Sequence, residues 1–167
     1  MAVTVVVYDQ TKFVPWDVAK ALEEIETMNF GRDGFTADFI MSELRDKSGA
    51  VVLLMDGGVV VGYTSATDAD GVYTSNSYYY GRDHEDVAYN SNSSIHPDYQ
   101  HKGYIWMLMD LLESALKAKG YKILDTDAKS DLGFADKVVS KYGERVVFAQ
   151  LPVRTMWGHQ RYIRIKL

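Results

Sequence analysis

Ile95-His96-Pro97-Asp98-Tyr99-Gln100-His101-Lys102-Gly103-Tyr104-Ile105-Trp106 carries the chain out of a strand-like run, through a polar loop and into its longest amphipathic stretch. Pro97 has no N–H to give to a ladder, so the strand stops beside Ile95. From Gly103 to Lys119 the pattern is helical, with Trp106, Leu108, Met109, Leu111, Leu112, Ala115 and Leu116 on a broad apolar face. Lys117 and Lys119 suit the negative end of the helix dipole, and Gly120 suits the residue just past it. Strand, glycine loop and helix start are the parts of an anion site, because unpaired first-turn N–H groups meet the positive end of the dipole. By itself the stretch is first of all a plain strand-to-helix turn, so the rest of the chain has to decide.

Upstream, Val87 to Ile95 reads as a strand, but Asn90, Ser91, Asn92, Ser93 and Ser94 make it unusually polar. Such a strand lies beside a cleft, is bulged, or turns its polar side chains to solvent. Thr67 to Asp86 is rich in Asp, Gly, Ser, Asn and Tyr and reads as a long loop, functional or mobile by its length. Ahead of it, Ala50–Met55 and Val59–Tyr63 flank Asp56-Gly57-Gly58, a hairpin whose second strand extends to about Thr67. Earlier still, Val3–Tyr8 is a strand. Pro15-Trp16-Asp17 opens a helix carrying Val18, Leu22, Ile25 and Met28. Thr36 caps a second helix with Phe39, Ile40 and Leu44 inward, ended by Gly49.

Downstream, Tyr121–Asp125 is a strand. Ser130 or Asp131 caps a helix over Phe134, Ala135, Val138 and Val139 that stops at Tyr142-Gly143. Arg145–Leu151 is a strand, and Arg161–Leu167 alternates as an edge strand does. The order β-α-α-β-β-β-α-β-α-β-β contains a βαβ unit around the long helix, which demands a parallel crossover, while hairpins make the remaining sheet antiparallel. The expected fold class is α/β (α+β): a mixed, mostly antiparallel central sheet with helices on both faces. No linker or repeat divides the chain, so one domain over 1–167 is expected.

A chain of 167 residues buries roughly 70% of its unfolded surface and needs no covalent staples. It has no cysteine, which excludes disulfides, thiolate metal sites and a cysteine nucleophile, and fits a cytoplasmic protein. The N-terminus lacks a basic signal-peptide region, and no apolar run reaches the ~20 residues of a membrane span. With a formal net charge of −5 and no broad basic face, nucleic acid is a poor partner and a cationic amine a better one. The four histidines lack ligand spacing with carboxylates, so no metal is expected. Of the 12 tyrosines, seven fall between Tyr73 and Tyr104, which singles out that region as either self-packed or substrate-lining.

The element order, together with Gln100-His101-Lys102-Gly103-Tyr104-Ile105, resembles the GNAT superfamily of acyl-CoA-dependent N-acyltransferases, whose signature is Gln or Arg, two residues, Gly, one residue, then Gly or Ala. Ile95-His96-Pro97-Asp98-Tyr99 is similar to the family's approach to that loop, and Lys119-Gly120-Tyr121 to its exit. The resemblance implies transfer of an acyl group, most often acetyl from acetyl-CoA, to a primary amine by direct attack. The co-substrate's pyrophosphate is then expected on the loop Gln100, His101, Lys102, Gly103, Tyr104 and Ile105, and its pantetheine arm beside the backbone near Ser93 and Ile95. Three positions depart from the family. Ile105 stands where Gly or Ala is usual. In Leu132-Gly133-Phe134-Ala135-Asp136-Lys137-Val138-Val139, Leu132 stands at the family's asparagine position, and Val139 stands where a tyrosine commonly protonates the leaving thiolate.

For the base that takes the ammonium proton the sequence offers Glu85, Asp86 or His84 before the polar strand, or a water held by Tyr89 and Asn90. Acceptor contacts are expected from Asp33, in the loop between the first two helices, and from Tyr79 and Tyr80. The Trp157–Gln160 turn is a further candidate for completing the pocket. The acceptor is an amine-bearing small molecule or a protein amine, and a homodimer is compatible with the chain. The alternative to a working enzyme is a GNAT-fold protein that has lost catalysis and serves binding or assembly. A third option, nucleobase modification with another donor, fits the acidic charge badly.

Overall fold

The computed structural model describes residues 2–12, 16–75, 82–131 and 133–167. They fall into two compact units, Met1–Thr67 with Ser91–Ala118, and Asp68–Asn90 with Lys119–Leu167. One long strand, β4 (Val87–Ile95), contributes its first half to the second unit and its second half to the first.

In the first unit, β1 (Val3–Val7) pairs antiparallel with β2 (Ala50–Asp56), β2 pairs antiparallel with β3 (Val59–Asp68), and β3 neighbours β4. The expected hairpin is present, with Gly57 and Gly58 at φ +56° and +89°. Strand alternation splits the core. Val51, Leu53 and Tyr63 pack with Leu22, Ile25, Ile40 and Leu44 of α1 (Trp16–Phe30) and α2 (Ala37–Arg45). Val52 and Leu54 point the other way, and α4 (Tyr104–Ala118) packs on β1 and β2. Leu108, Leu112 and Leu116 of α4 are fully buried, each worth roughly 1.5–3 kcal/mol of burial.

Thr36 caps α2 as expected, its hydroxyl accepting from Phe39 N–H at 3.4 Å. Glu23 adds a second cap, accepting from Ala37 N–H at 3.0 Å. Two expectations fail here. Phe39 is 41% exposed and stacks on Phe35 with centroids 4.3 Å apart. The helix stops at Arg45, not at Gly49. Gly49 instead lies so close to β3 that a Cβ would sit 1.8 Å from Ala66 O, so its glycine serves a close backbone approach.

In the second unit, β4 pairs parallel with β5 (Ile123–Lys129), as the helix between them in sequence demands. The order continues antiparallel to β8 (Gly158–Lys166) and β6 (Val146–Ala149), with β7 (Val153–Thr155) also on β8. The final strand is therefore interior, not an edge. Its alternating charges are used: Arg164 and Arg161 form ion pairs with Asp125 and Asp136. The expected loop over Thr67–Asp86 contains a helix, α3 (Ala69–Ser75), which packs Ala69 and Tyr73 on Val87 and Tyr89. Helix α5 (Phe134–Tyr142) packs on β5 and β8. Its cap is Gly133 at φ 69°, not Ser130 or Asp131; Asp131 accepts from His159 instead. Among the described residues no helix is long and apolar enough to cross a membrane, and no group of His, Asp and Glu has the arrangement of a metal site.

Candidate functional site

The loop before α4 leads directly into the N-terminus of a 15-residue helix. His101 and Gly103 take positive φ, 60° and 79°, and reverse the chain after the short 3-10 turn Pro97–Tyr99. Nothing lies within 4 Å of where a Gly103 Cβ would stand, so the loop's outer side is open. Trp106 N–H bonds Gly103 O at 3.0 Å; the N–H groups of the first turn precede any carbonyl of the helix itself. The first turn of α4 holds no acidic residue. His101 and Lys102 are exposed, while Tyr104 and Ile105 are half-buried.

The Gln100 side chain has a different task. Its amide donates to Asn29 Oδ1 and to Ile95 O, both at 2.8 Å. Asn29 donates in turn to Ile95 O at 2.9 Å and Ser94 Oγ at 2.7 Å, so these two residues lock α1 to the end of β4. The backbone positions expected to face the pantetheine arm are also engaged. Ile95 O accepts those two bonds, and Ser93 N–H donates to Asn92 Oδ1 at 2.8 Å. Lys102 Nζ folds back onto Asp98 O at 2.7 Å. Among the described residues, the backbone N–H groups of His101 to Ile105 have no hydrogen-bond acceptor.

Beside that loop the polar strand meets two helix carboxylates. Glu26 of α1 is 1% exposed; it accepts from Phe35 N–H at 3.2 Å and from Asn92 Nδ2 at 2.7 Å. Asn92 also donates to Tyr63 Oη at 2.5 Å. Glu43 of α2 accepts from Ser65 Oγ at 2.8 Å and from Ser91 Oγ. Ser91 and Asn92 are neighbours, yet both serve carboxylates of α1 and α2; a regular strand would send them to opposite faces. The strand is thus irregular where its sequence is most polar. Burial pushes the Glu43 carboxyl up to about 7, against the lowering effect of the two serine hydroxyls, with Glu26 and Asp46 adding repulsion. Burial, then Glu26 and Glu43, hold the Tyr63 hydroxyl well above the ordinary phenol range.

The second unit carries its own carboxylates on one face of β5. Asp125, fully buried, accepts from Arg164 Nε at 2.8 Å and Nη2 at 2.7 Å, from Tyr162 Oη at 2.8 Å, and from Tyr73 Oη. Asp127, two residues on, has a side chain only 4% exposed. Its Oδ2 accepts from Tyr89 Oη at 3.1 Å and Arg82 Nη1 at 3.4 Å, and its Oδ1 has no partner among the described residues. Burial raises the Asp127 carboxyl, with Arg82 pulling the other way.

The expected catalytic and acceptor residues are scattered. Glu85 is exposed, and Asp86 pairs with Lys122 at 2.5 Å. His84 pairs with Asp70 at 3.2 Å. Asn90 accepts from Thr126 Oγ1 at 3.3 Å. Tyr89 bonds a buried carboxylate, Asp127. Asp33 is exposed in a short 3-10 turn and does not line the open cleft of about 450 Å³ beside it, which Glu23, Glu24, Thr27, Arg32 and Phe35 do. Tyr79 and Tyr80 lie outside the described residues. Val139 is half-buried, and Tyr142, one turn on, is 4% exposed with Arg145 over its ring at 5.2 Å, so its phenol does not replace the missing tyrosine. Sequence reasoning missed Glu26, Glu43, Asp125 and Asp127. Glu26 had a signal: it occupies a core step of α1, between Leu22 and Asn29.

A family model described as acetyltransferase (GNAT) family matches residues 16–135. No curated protein matches. Among solved structures, the fold is similar to that of the yncA protein from Salmonella typhimurium, solved with its cofactor acetyl-CoA: TM-score 0.70, 16% identity, 100% of this chain and 94% of that one. The aminoglycoside 6'-N-acetyltransferase from Enterococcus faecium matches at TM-score 0.70 and 9% identity, over 98% and 96%. The ribosomal-protein-S18-alanine N-acetyltransferase from Escherichia coli matches at 0.66 and 17%, over 99% and 93%. These identities speak for the fold; the family match covers most of the sequence, and the chain belongs to the acetyltransferase (GNAT) family.

Proposed function

We propose that this N-acetyltransferase binds acetyl-CoA through the backbone of residues 101–105 and passes the acetyl group to a primary amine. The observation that supports this reading is the strand–loop–helix anion cradle, open at Gly103 and free of acid in its first turn. Phosphate charge there meets N–H groups and the positive end of α4. In the transfer the amine nitrogen attacks the thioester carbonyl, a new C–N bond forms, the C–S bond breaks, and the thiolate departs. The ammonium proton goes to a base. Of the base candidates read from the sequence, Tyr89 has its hydroxyl bonded to the Asp127 carboxylate within the second unit. Val139 is compatible with turnover, because a thiolate of pKa about 8.5 leaves near neutral pH without a dedicated acid.

Titration calorimetry with acetyl-CoA tests the reading. Binding in the micromolar to sub-millimolar range is expected. Tyr104→Glu, which places a negative charge at the start of α4, is expected to weaken it about tenfold or more, chiefly by repelling phosphate. No heat at millimolar acetyl-CoA with folded protein overturns it. Release of free thiol with a panel of primary amines then identifies the acceptor.

A further inference from the structure

We infer that Asp127 is the seat of a ligand ammonium group, and that Arg82 holds this seat as a stand-in cation when no ligand is bound. The seat lies within the second unit and rests on a contrast along one strand. Asp125 and Asp127 lie two residues apart on β5, so their side chains share a face. Asp125 accepts from an arginine fork and two tyrosine hydroxyls. Asp127 is almost as deeply buried, yet one of its oxygens has no donor among the described residues.

A buried carboxylate short of donors is costly, and folded proteins rarely leave one so. The donors it does have are long. Tyr89 lies at 3.1 Å and Arg82 at 3.4 Å, against 2.7 and 2.8 Å for Arg164 on Asp125. Arg82 is engaged elsewhere: its guanidinium stands 3.6 Å from the centroid of the Tyr162 ring and 5.5 Å from that of Tyr73. Its cation–π contacts leave the ion pair loose. Its side chain is 13% exposed against 4% for Asp127, and it is the part that has to swing away.

The chemistry selects a primary ammonium. It is a compact charge with three donors, enough for Asp127 Oδ1 and Oδ2 together. The rings of Tyr73 and Tyr89, 6.0 Å apart and nearly perpendicular, give it aromatic neighbours. A metal ion would need further ligands, and Asp125 is already saturated.

The test uses the full chain, without co-substrate, and n-butylammonium as probe. Carbon-13 spectra of aspartate-labelled protein report the Asp127 carboxyl, assigned by its loss in Asp127→Asn. A saturable shift with n-butylammonium and none with n-butanol is expected. Arg82→Gln removes the competing cation, and the probe is expected to bind about three- to tenfold more tightly. A structural ion pair would give no such gain. By titration calorimetry, Asp127→Asn is expected to weaken n-butylammonium binding about tenfold or more, with partial recovery in Asp127→Glu. An Asp127 resonance that ignores the probe, or unchanged affinity in Arg82→Gln, overturns the seat. Absence of acetyl-CoA binding in the wild type overturns the transferase reading instead, and leaves the spectra to decide the seat.

Discussion

Each compact unit holds two carboxylates among hydrogen-bond donors beside its sheet, and the two pairs are stabilised by different chemistry. In the first unit Glu26 and Glu43 take neutral donors: a backbone N–H, an asparagine amide and two serine hydroxyls. In the second, Asp125 and Asp127 take arginines and tyrosines. Neutral donors supply hydrogen bonds without opposing charge, so burial wins at Glu43 and its carboxyl rises to about 7. A bidentate guanidinium supplies both. The contrast predicts that Asp125 is the carboxylate the fold depends on most. Asp125→Asn replaces one acceptor oxygen with a donor facing a fork and two hydroxyls, and leaves Arg164 unpaired. A loss of about 3–5 kcal/mol is expected, read as a lower urea midpoint at unchanged slope. A cost no larger than that of an ordinary surface substitution would mean that the network is ornamental.

The next largest effect lies in the first unit and has a pH signature. The folded-state pKa of Glu43, about 7, stands above the ordinary carboxylate value of 4.5. The folded state holds this proton more tightly than the unfolded chain, so the stabilisation is fully present below pH 4.5 and disappears as pH rises through 7. The groups facing it, Ser65, Ser91, Glu26 and Asp46, include no cation to reverse that sign. Glu43→Gln keeps an acceptor for the serines and removes the charge. It is expected to flatten the stability profile between pH 5 and 8 and to raise stability at pH 8 by about 2 kcal/mol. Denaturation at both pH values checks this, and parallel curves for the two proteins would place Glu43 in contact with solvent.

Legibility from sequence followed how local the causes were. The Asp56-Gly57-Gly58 hairpin, the Thr36 cap and the Gly103–Gly120 helix frame are set by residues close in sequence, and all three are present. The interior place of β8 was not legible, because its alternating charges look like an edge until their partners Asp125 and Asp136 are known. Helix α3 was hidden by the Asp, Gly and Ser of a loop-like composition; its packing of Ala69 and Tyr73 on β4 outweighs that propensity. The loop of residues 100–105 was found in sequence as a place, but the task of the Gln100 side chain was not. Its partners, Asn29 and Ile95, meet only in the fold. The carboxylates were missed for the same reason: an Asp in a strand reads as surface until burial says otherwise.

The smallest stability effect is the most telling about function. Asp127→Asn neutralises a buried carboxylate whose one paired cation among the described residues is 3.4 Å away and whose Oδ1 has no partner among them. Less charge to desolvate offsets the weaker bond to Arg82, so urea unfolding is expected to move by less than about 1 kcal/mol in either direction. Set against Asp125→Asn on the same strand face, this separates a carboxylate kept for the fold from one that the fold tolerates. A group that folding does not need, buried at the cost of its charge, is retained for what it binds. If Asp127→Asn costs as much as Asp125→Asn, its Oδ1 is satisfied in solution and the asymmetry along β5 disappears. If it is silent in unfolding yet weakens the hold on an amine, stability and function have been assigned to two aspartates two residues apart.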